Sequence, residues 1–246
     1  MSEDRIHTTE FYERDAIDYD RKRYSSISGH LWHLSQIQAL NMILPTRDVA
    51  GSVIIDLGCG TGRISIHLAR NASKLIAVDA SETMLSLARK RIEQEGLENR
   101  LAILQSDAGN LKVESNSVDT VVSINVFSHL PHLTKVVREI HRVLKPGGNL
   151  VFNYPNLHSI FFPAALSITR RKQSAFEKVY TRWYTSKEIQ SLLTKSGFKI
   201  QSQIGLLLPT SLPISGFHRL GFFSRPIVNQ RILSLCSMIF IKALGA

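Results

Sequence analysis

The sequence has little that would staple it, anchor it in a bilayer or neutralise its last third. Only two cysteines occur, Cys59 and Cys236, far apart and without a CxxC spacing. That excludes a disulfide framework and a cysteine zinc site, and fits a reducing, cytoplasmic setting. No apolar run reaches the roughly 20 residues that a membrane-spanning helix needs. The nearest, "SIFFPAALSIT" at 159–169 and "ILSLCSMIFIKAL" at 232–244, suit contact with a membrane surface instead. The opening "MSEDRIHTTE" holds acids and no apolar stretch, so neither a secretory signal peptide nor a transit peptide is expected. Acids are scarcest at the far end: residues 151–246 set 12 Lys and Arg against Glu177 and Glu188 alone, while residues 1–150 balance 18 against 18. The whole excess of +10 thus lies in the C-terminal part. It favours an anionic partner, whether a phosphorylated or carboxylated substrate, an anionic membrane or nucleic acid; a basic surface that only aids solubility is the alternative.

What is present reads as one sizeable α/β unit, for which 246 residues with 43% hydrophobic content are ample. From Phe11 to Pro45 the pattern gives one or two helices, with Ile27, Leu31, Leu34, Ile37 and Leu40 at helical spacing. Val53–Leu57 is a β-branched strand, and "RISIHLAR" a helix abutting the glycines after it. "LIAVDAS" is a second strand ending on Asp79, after which Ser81 can cap a helix with Met84, Leu85, Ala88 and Ile92 inward and Gly96 as its stop. "LAILQSD" ends on Asp107; Val118–Asn125 is a fourth strand; "LTKVVREIHRVLKPGG" is a helix with Val136, Val137, Ile140 and Leu144 inward; "NLVFNYP" is a fifth strand. An apolar then basic insertion follows, then the helix of "YTSKEIQSLLTKSGF" with Ser186 as its cap, and closing strands in "KIQSQIGLLL" and "CSMIFIKAL". Strands alternating with amphipathic helices imply a parallel, doubly wound sheet with right-handed crossovers.

In such a sheet ligands bind beyond the carboxyl ends of the strands, near the switch point. The turn "VIIDLGCGTGR" spaces its glycines as GxGxG, with Arg63 where a dinucleotide fingerprint would carry its third glycine, and no Walker lysine follows. Singly, a glycine after a strand is a turn and an aspartate ending one is a helix cap. Three glycines and two acids at the ends of successive strands make coincidence the weaker account. Together with "VDAS", "SDAGNL", "NVFSHLPH" and "VLKPGGNLVF", in that order, "DLGCGTG" resembles the class I S-adenosylmethionine-dependent methyltransferases. The likeness covers Phe11 to Pro155 and lies within the small-molecule, methyltransferase type 11 group that includes the quinone-biosynthesis C-methyltransferases.

The resemblance implies a Rossmann-like, doubly wound seven-stranded sheet, mostly parallel with an antiparallel last strand and helices on both faces. It implies a single methyltransferase domain over 1–246: an N-terminal helical lid at 11–45, a cofactor core at 51–155, and acceptor-side insertions at 156–182 and 206–231. By the same resemblance Gly58 and Gly60 let the backbone approach the methionine part of S-adenosyl-L-methionine, while Asp56 orients the loop and the amino group. Asp79 accepts from both ribose hydroxyls; Asp107 accepts from the adenine amine; Ala80 and Met84 pack on adenine; Ala108 offers a backbone donor; Asn125 and Val126 lie under the methionine near the methyl. Met84 reads equally well as core packing alone.

Methyl transfer from a sulfonium is an in-line displacement, so the protein chiefly aligns the reactants and excludes water, and no metal is expected. An acceptor of high pKa needs a base. The candidates are His129, beyond the fourth strand, with His30, His33, Tyr12, Tyr19 and Tyr24. For His129 a structural role in its "HLP" turn competes, while His132 and His141 read as surface helix residues. Tyr24 is the lid residue expected to reach the cofactor carboxylate or the acceptor, with Arg21 or Arg23 able to pair with that carboxylate. Phe161, Phe162, Phe176, Phe217, Phe222 and Phe223 suit a lipophilic or aromatic small-molecule acceptor, a small cap subdomain or a subunit interface. Methylation of RNA or protein through the basic C-terminal part is a second reading, although "INVF" lacks the Asn/Asp-Pro-Pro-aromatic pattern that grips a flipped base, and nucleic acid is not the expected partner. A non-catalytic cofactor-binding protein on an anionic membrane surface is a third, suggested by "SIFFPAALSITRRK". Oxygen, nitrogen and carbon acceptors, and the oligomeric state, are left open.

Overall fold

The computed structural model describes residues 3–163, 167, 180–207 and 225–245, with side chains from Thr8 onward in its first helix. Seven strands, β1 Val53–Leu57, β2 Lys74–Asp79, β3 Leu101–Gln105, β4 Val118–Ser123, β5 Leu144–Pro155, β6 Phe198–Leu206 and β7 Met238–Gly245, form one sheet. Their order is β3-β2-β1-β4-β5-β7-β6. The first five run parallel, and β7 is antiparallel to both β5 and β6. This is the Rossmann-like architecture expected above, and the order reverses between β1 and β4, which places the switch point beside Gly58.

The strands are buried on both faces because consecutive apolar residues feed two cores. Ile55, Val121, Leu150 and Ile241 join one core with Val136, Val137 and Ile140; their neighbours Ile54, Val122, Val151 and Phe240 join the other with Ala39, Leu40 and Leu85. The helices on the two faces are α1 Glu3–Tyr24, α2 Ile27–Ile43, α3 Thr46–Val49, α4 Arg63–Ala69, α5 Glu82–Gln94, α6 Leu133–Val143, α7 Ser186–Lys195 and α8 Gln230–Leu233. Ser81 caps α5 as expected, accepting from Met84 N at 3.1 Å.

Four expectations need correction. The cap of α7 is Thr185, not Ser186: Thr185 and Glu188 close a reciprocal capping box, a spacing that Ser186 lacks, and Ser186 accepts instead from the Tyr154 hydroxyl at 3.1 Å. Strand β4 ends at Ser123, because Asn125 takes a left-handed backbone, φ +63°, which turns the chain out of the sheet. The first helix begins at Glu3 rather than Phe11. His141 is half-buried and not a free surface residue: its ring packs edge-on to Phe198 at 5.2 Å.

Helix α1, expected to be a lid, is pinned along α5. Glu13 accepts from the first-turn amides of α5, Glu82 N at 2.7 Å and Thr83 N at 3.1 Å, which have no partner within the helix. Burial works against the Glu13 charge, but hydrogen bonds from Thr83, Ser81 and Glu82 outweigh it and hold the carboxyl below its usual range. At the other end Asp20 pairs with Arg91 and accepts from the Thr61 hydroxyl at 3.0 Å.

Candidate functional site

The two leading glycines of the turn serve different ends. Gly58, at φ +73°, has no room for a side chain: a Cβ there would stand 2.4 Å from Cγ2 of Val126, so the β1 turn and the β4 exit touch backbone to side chain. Gly60, at φ +52°, has nothing nearer to its Cβ position than Met84 Sδ at 4.0 Å. Gly60→Ala therefore meets backbone strain of about 1–3 kcal/mol, whereas Gly58→Ala adds a collision to it. Thermal unfolding should show Gly58→Ala as the more destabilised, and adding Val126→Ala should recover the difference; equal melting points for the two single variants would disprove the distinction.

Beyond these glycines lies a cleft of about 1040 Å³ lined by Gly58, Gly60, Asp79, Ala80, Met84, Asp107, Ala108, Asn125, Val126 and His129, with Thr8, Thr9, Tyr12 and Tyr19 of α1 above them. Nine of the ten expected cofactor residues thus share one cavity. The tenth, Asp56, lies in an adjoining space of about 440 Å³ with Tyr19, Tyr24, His33, Gln36 and Arg63. His132, taken as a surface helix residue, also reaches the larger cleft.

Asp79 accepts from Gly60 N at 2.8 Å through Oδ2 and from Ser81 N at 3.0 Å through Oδ1. Burial raises its pKa, against the pull of those amides. Asp56, fully buried with the Ser65 hydroxyl 2.6 Å from Oδ2, is pushed up to about 7 by burial. Asp107 closes its own loop, accepting from Gly109 N at 2.7 Å.

Asn125 is fixed by partners that sequence reading did not single out. Its Oδ1 accepts from Gln36 of α2 at 2.8 Å and from Asn153 of β5 at 3.1 Å, and its amide donates to Asn153 Oδ1 at 2.6 Å. Gln36 and Asn153 are 2% and 1% exposed. A polar residue centred in the apolar run "LVFNYP" was the one available signal, since buried amides must find partners.

His129 ends a 3-10 turn, Phe127–His129, anchored by Phe127 packing edge-on to Phe152 at 4.1 Å. Its Nδ1 lies 3.0 Å from the Tyr180 carbonyl, which can only accept, so Nδ1 carries the proton and Nε2 of the neutral ring is an acceptor. Burial pulls its pKa below the usual histidine value. The lid tyrosines line up beside it: Tyr12 is 5.7 Å from the His129 ring, Tyr19 is 6.2 Å from Tyr12, and Tyr24 is 6.3 Å from Tyr19. Burial raises all three phenols, Tyr12 to about 12, so they are hydrogen-bond donors near neutrality and not the bases considered above. Arg63 stacks over Tyr24 at 4.0 Å, and burial drives His33 down to about 4.

A second cleft, of about 1440 Å³, lies on the other side of Tyr12, Tyr19, Asn125 and His129. Trp32, Trp183, Asn153, Pro155, Met238, Lys22 and Arg23 are among the residues of its wall. Of the two lid arginines considered, Arg23 is the one at this cleft, held by Asp15 at 2.5 Å; Arg21 pairs with Asp18 at the surface. Within the two segments expected to be acceptor-side insertions, residues 164–166, 168–179 and 208–224 lie outside the described residues, and with them Phe176, Phe217, Phe222 and Phe223. Phe162 packs edge-on to Trp183 at 5.2 Å. Among the described residues there is no cluster of metal-ligating side chains and no helix long and apolar enough to cross a membrane.

A glycine turn at the switch point, acids ending β2 and following β3, and a helix over the cleft thus stand together in a Rossmann-like fold. Known proteins agree. Residues 55–152 match the family described as methyltransferase domain, type 11. The chain is 37% identical over 102 residues to methyltransferase GfsG of Streptomyces halstedii, covering 41% of this chain and 37% of that one. It is 32% identical over 156 residues to a demethylmenaquinone methyltransferase of Lactococcus lactis subsp. lactis, covering 61% of this chain and 58% of that one. The match thus spans less than two thirds of either relative. In fold it superposes on magnesium protoporphyrin IX methyltransferase of Synechocystis PCC 6803, a structure with bound SAH, with a TM-score of 0.72 and 15% identity over 99% of this chain and 100% of that one. Residues 55–152 therefore carry a methyltransferase-domain match, and proteins named as quinone-biosynthesis methyltransferases are among those the chain is similar to.

Proposed function

We propose that the chain moves the methyl group of S-adenosyl-L-methionine onto a hydroxyl of a flat, lipophilic small molecule, leaving S-adenosyl-L-homocysteine. The observation that carries this reading is that two clefts, one with the cofactor-type acids and one walled by tryptophans, meet at Asn125 and His129. The residues fit the cofactor: Gly60 leaves open space, Met84 and Ala80 offer an apolar wall, and Asp79 retains acceptor capacity. When bound, S-adenosyl-L-methionine supplies a methyl on a sulfonium leaving group, so the chain's own tasks are alignment and proton removal. His129 takes the acceptor's proton at Nε2, Tyr24 donates from the lid, and α1 excludes water. Such an enzyme works in the cytoplasm, with peripheral contact at an anionic membrane.

Titration calorimetry with S-adenosylhomocysteine tests the reading: saturable binding is expected, and binding of NAD without it would overturn the proposal. Asp56 adds a finer test. Its folded pKa of about 7 lies above the unfolded value of about 3.9, so its stabilising contribution is complete at low pH and is lost as pH rises through 7. A cationic amino group placed beside it would expel its proton. Binding near pH 6 should therefore release protons into the buffer, the release should vanish about two units higher, and Asp56→Asn should abolish it. Unchanged release in that variant would remove Asp56 from the cofactor's amino end.

A further inference from the structure

The tryptophan-walled cleft opens beside an unusual surface. Strands β5, β7 and β6 end together, with Met238 paired to both Pro155 and Leu206. That is the same end of the sheet as the carboxyl ends of β1, β2 and β4, where the clefts lie. Two chain segments close over it and are tied to each other: Asn156 Nδ2 donates to the carbonyls of Ser234 and Cys236 at 2.9 Å each, and the Ser159 hydroxyl donates to the Leu235 carbonyl at 3.4 Å. From these segments Ile160, Val228, Ile232 and Leu235 stand 55%, 56%, 38% and 41% exposed. Arg225 and Arg231 are exposed among them. Trp183 joins this face to the cleft, packing on Phe162 on one side and lining the cavity on the other. Ser26 and Ser28, which flank the 69% exposed Ile27, line that cavity as well.

We propose that this face docks on an anionic phospholipid bilayer, so that a lipophilic acceptor passes from the membrane into the cleft between Trp32 and Trp183. Branched aliphatic side chains projecting beside arginines gain by entering the headgroup and acyl boundary while the cations meet lipid phosphates. The charge pattern selects this occupant. From residue 151 on, the sequence holds only Glu177 and Glu188 as acids, so a second copy presenting the same face would set arginine against arginine. A nucleic acid would satisfy the arginines but leave the isoleucines in water, since base stacking needs aromatic platforms. The passage of an acceptor rests on the methyl-transfer reading; the docking itself does not.

The whole chain is sedimented with vesicles of equimolar phosphatidylcholine and phosphatidylglycerol, and with phosphatidylcholine alone. Binding is expected to the anionic vesicles, weakening with salt. It should fall at least about tenfold in Ile232→Glu with Leu235→Glu, and similarly in Arg225→Glu with Arg231→Glu. Both variants change exposed side chains and should keep the affinity for S-adenosylhomocysteine, which shows that they fold. No vesicle binding by the wild type, equal binding to neutral vesicles, or wild-type binding by the isoleucine–leucine variant would each overturn the proposal. So would a wild-type dimer that those substitutions dissociate, which would make the face an interface between copies. A wild-type chain that binds vesicles but not S-adenosylhomocysteine would sink the methyltransferase reading and leave the docking surface standing.

Discussion

Asp79→Asn should weaken S-adenosylhomocysteine binding by about 100-fold or more, because each hydrogen bond to a charged acceptor is worth roughly 1.5–3 kcal/mol and two are at stake. A carboxylate has about four acceptor sites. Two are spent on the chain itself, at Gly60 N and Ser81 N, and these amides fix the plane of the group. In the proposed function the capacity left on its two oxygens serves the vicinal diol of the ribose. An asparagine has the same shape, but its amide nitrogen must replace the oxygen that faces either Gly60 N or Ser81 N, so one of those contacts becomes donor against donor and the fixed plane of the group is lost. Burial has already raised the Asp79 pKa, so affinity should also decline towards acid pH, sooner than an ordinary aspartate would give. Calorimetry on the variant, with circular dichroism melting to show that it folds, decides the matter. An affinity within threefold of wild type would remove Asp79 from ribose recognition.

Asp79 and Asp107 were legible because strand ends are local: an apolar run stops, an acid follows, and the parallel topology brings such ends to one rim. The glycine turn was legible for the same reason, its spacing excluding a dinucleotide fingerprint without reference to the rest of the chain. Gln36 and Asn153 were not, because what makes them matter is each other's position around Asn125, 89 and 28 residues away in sequence. Glu13 was hidden likewise: nothing local marks a helical glutamate as the cap of a different helix. His141 was misread because a histidine in a basic helical turn looks solvated until Phe198 is packed onto it. The basic excess was plain in the sequence, yet its geometry was not. Only the pairing of Met238 with Pro155 and Leu206 puts the exposed aliphatics and arginines on the rim of the site.

His129→Asn should lower kcat by about 100-fold or more with a weakly acidic phenol as acceptor, in line with the ~10²–10⁴ that a placed base contributes, while S-adenosylhomocysteine affinity stays within about threefold. Asparagine places an amide N–H where Nδ1 stood and can still donate to the Tyr180 carbonyl, so the turn that carries residue 129 keeps its tie. What it cannot do is accept a proton. The competing account, in which His129 only supports the "HLP" turn, predicts something else: a lower melting point and a rate loss that ignores the acidity of the acceptor. The two separate on a pair of acceptors assayed by transfer of a radiolabelled methyl, catechol and the more acidic nitrocatechol. A nitrocatechol whose acidic hydroxyl is already ionised at neutral pH offers an oxyanion that attacks without a base, so the variant should keep most of its rate. Catechol needs one, and its rate should collapse, with the wild-type rate falling at low pH only below the usual histidine range, because burial holds the ring neutral there. Equal losses for both acceptors would return His129 to a structural role.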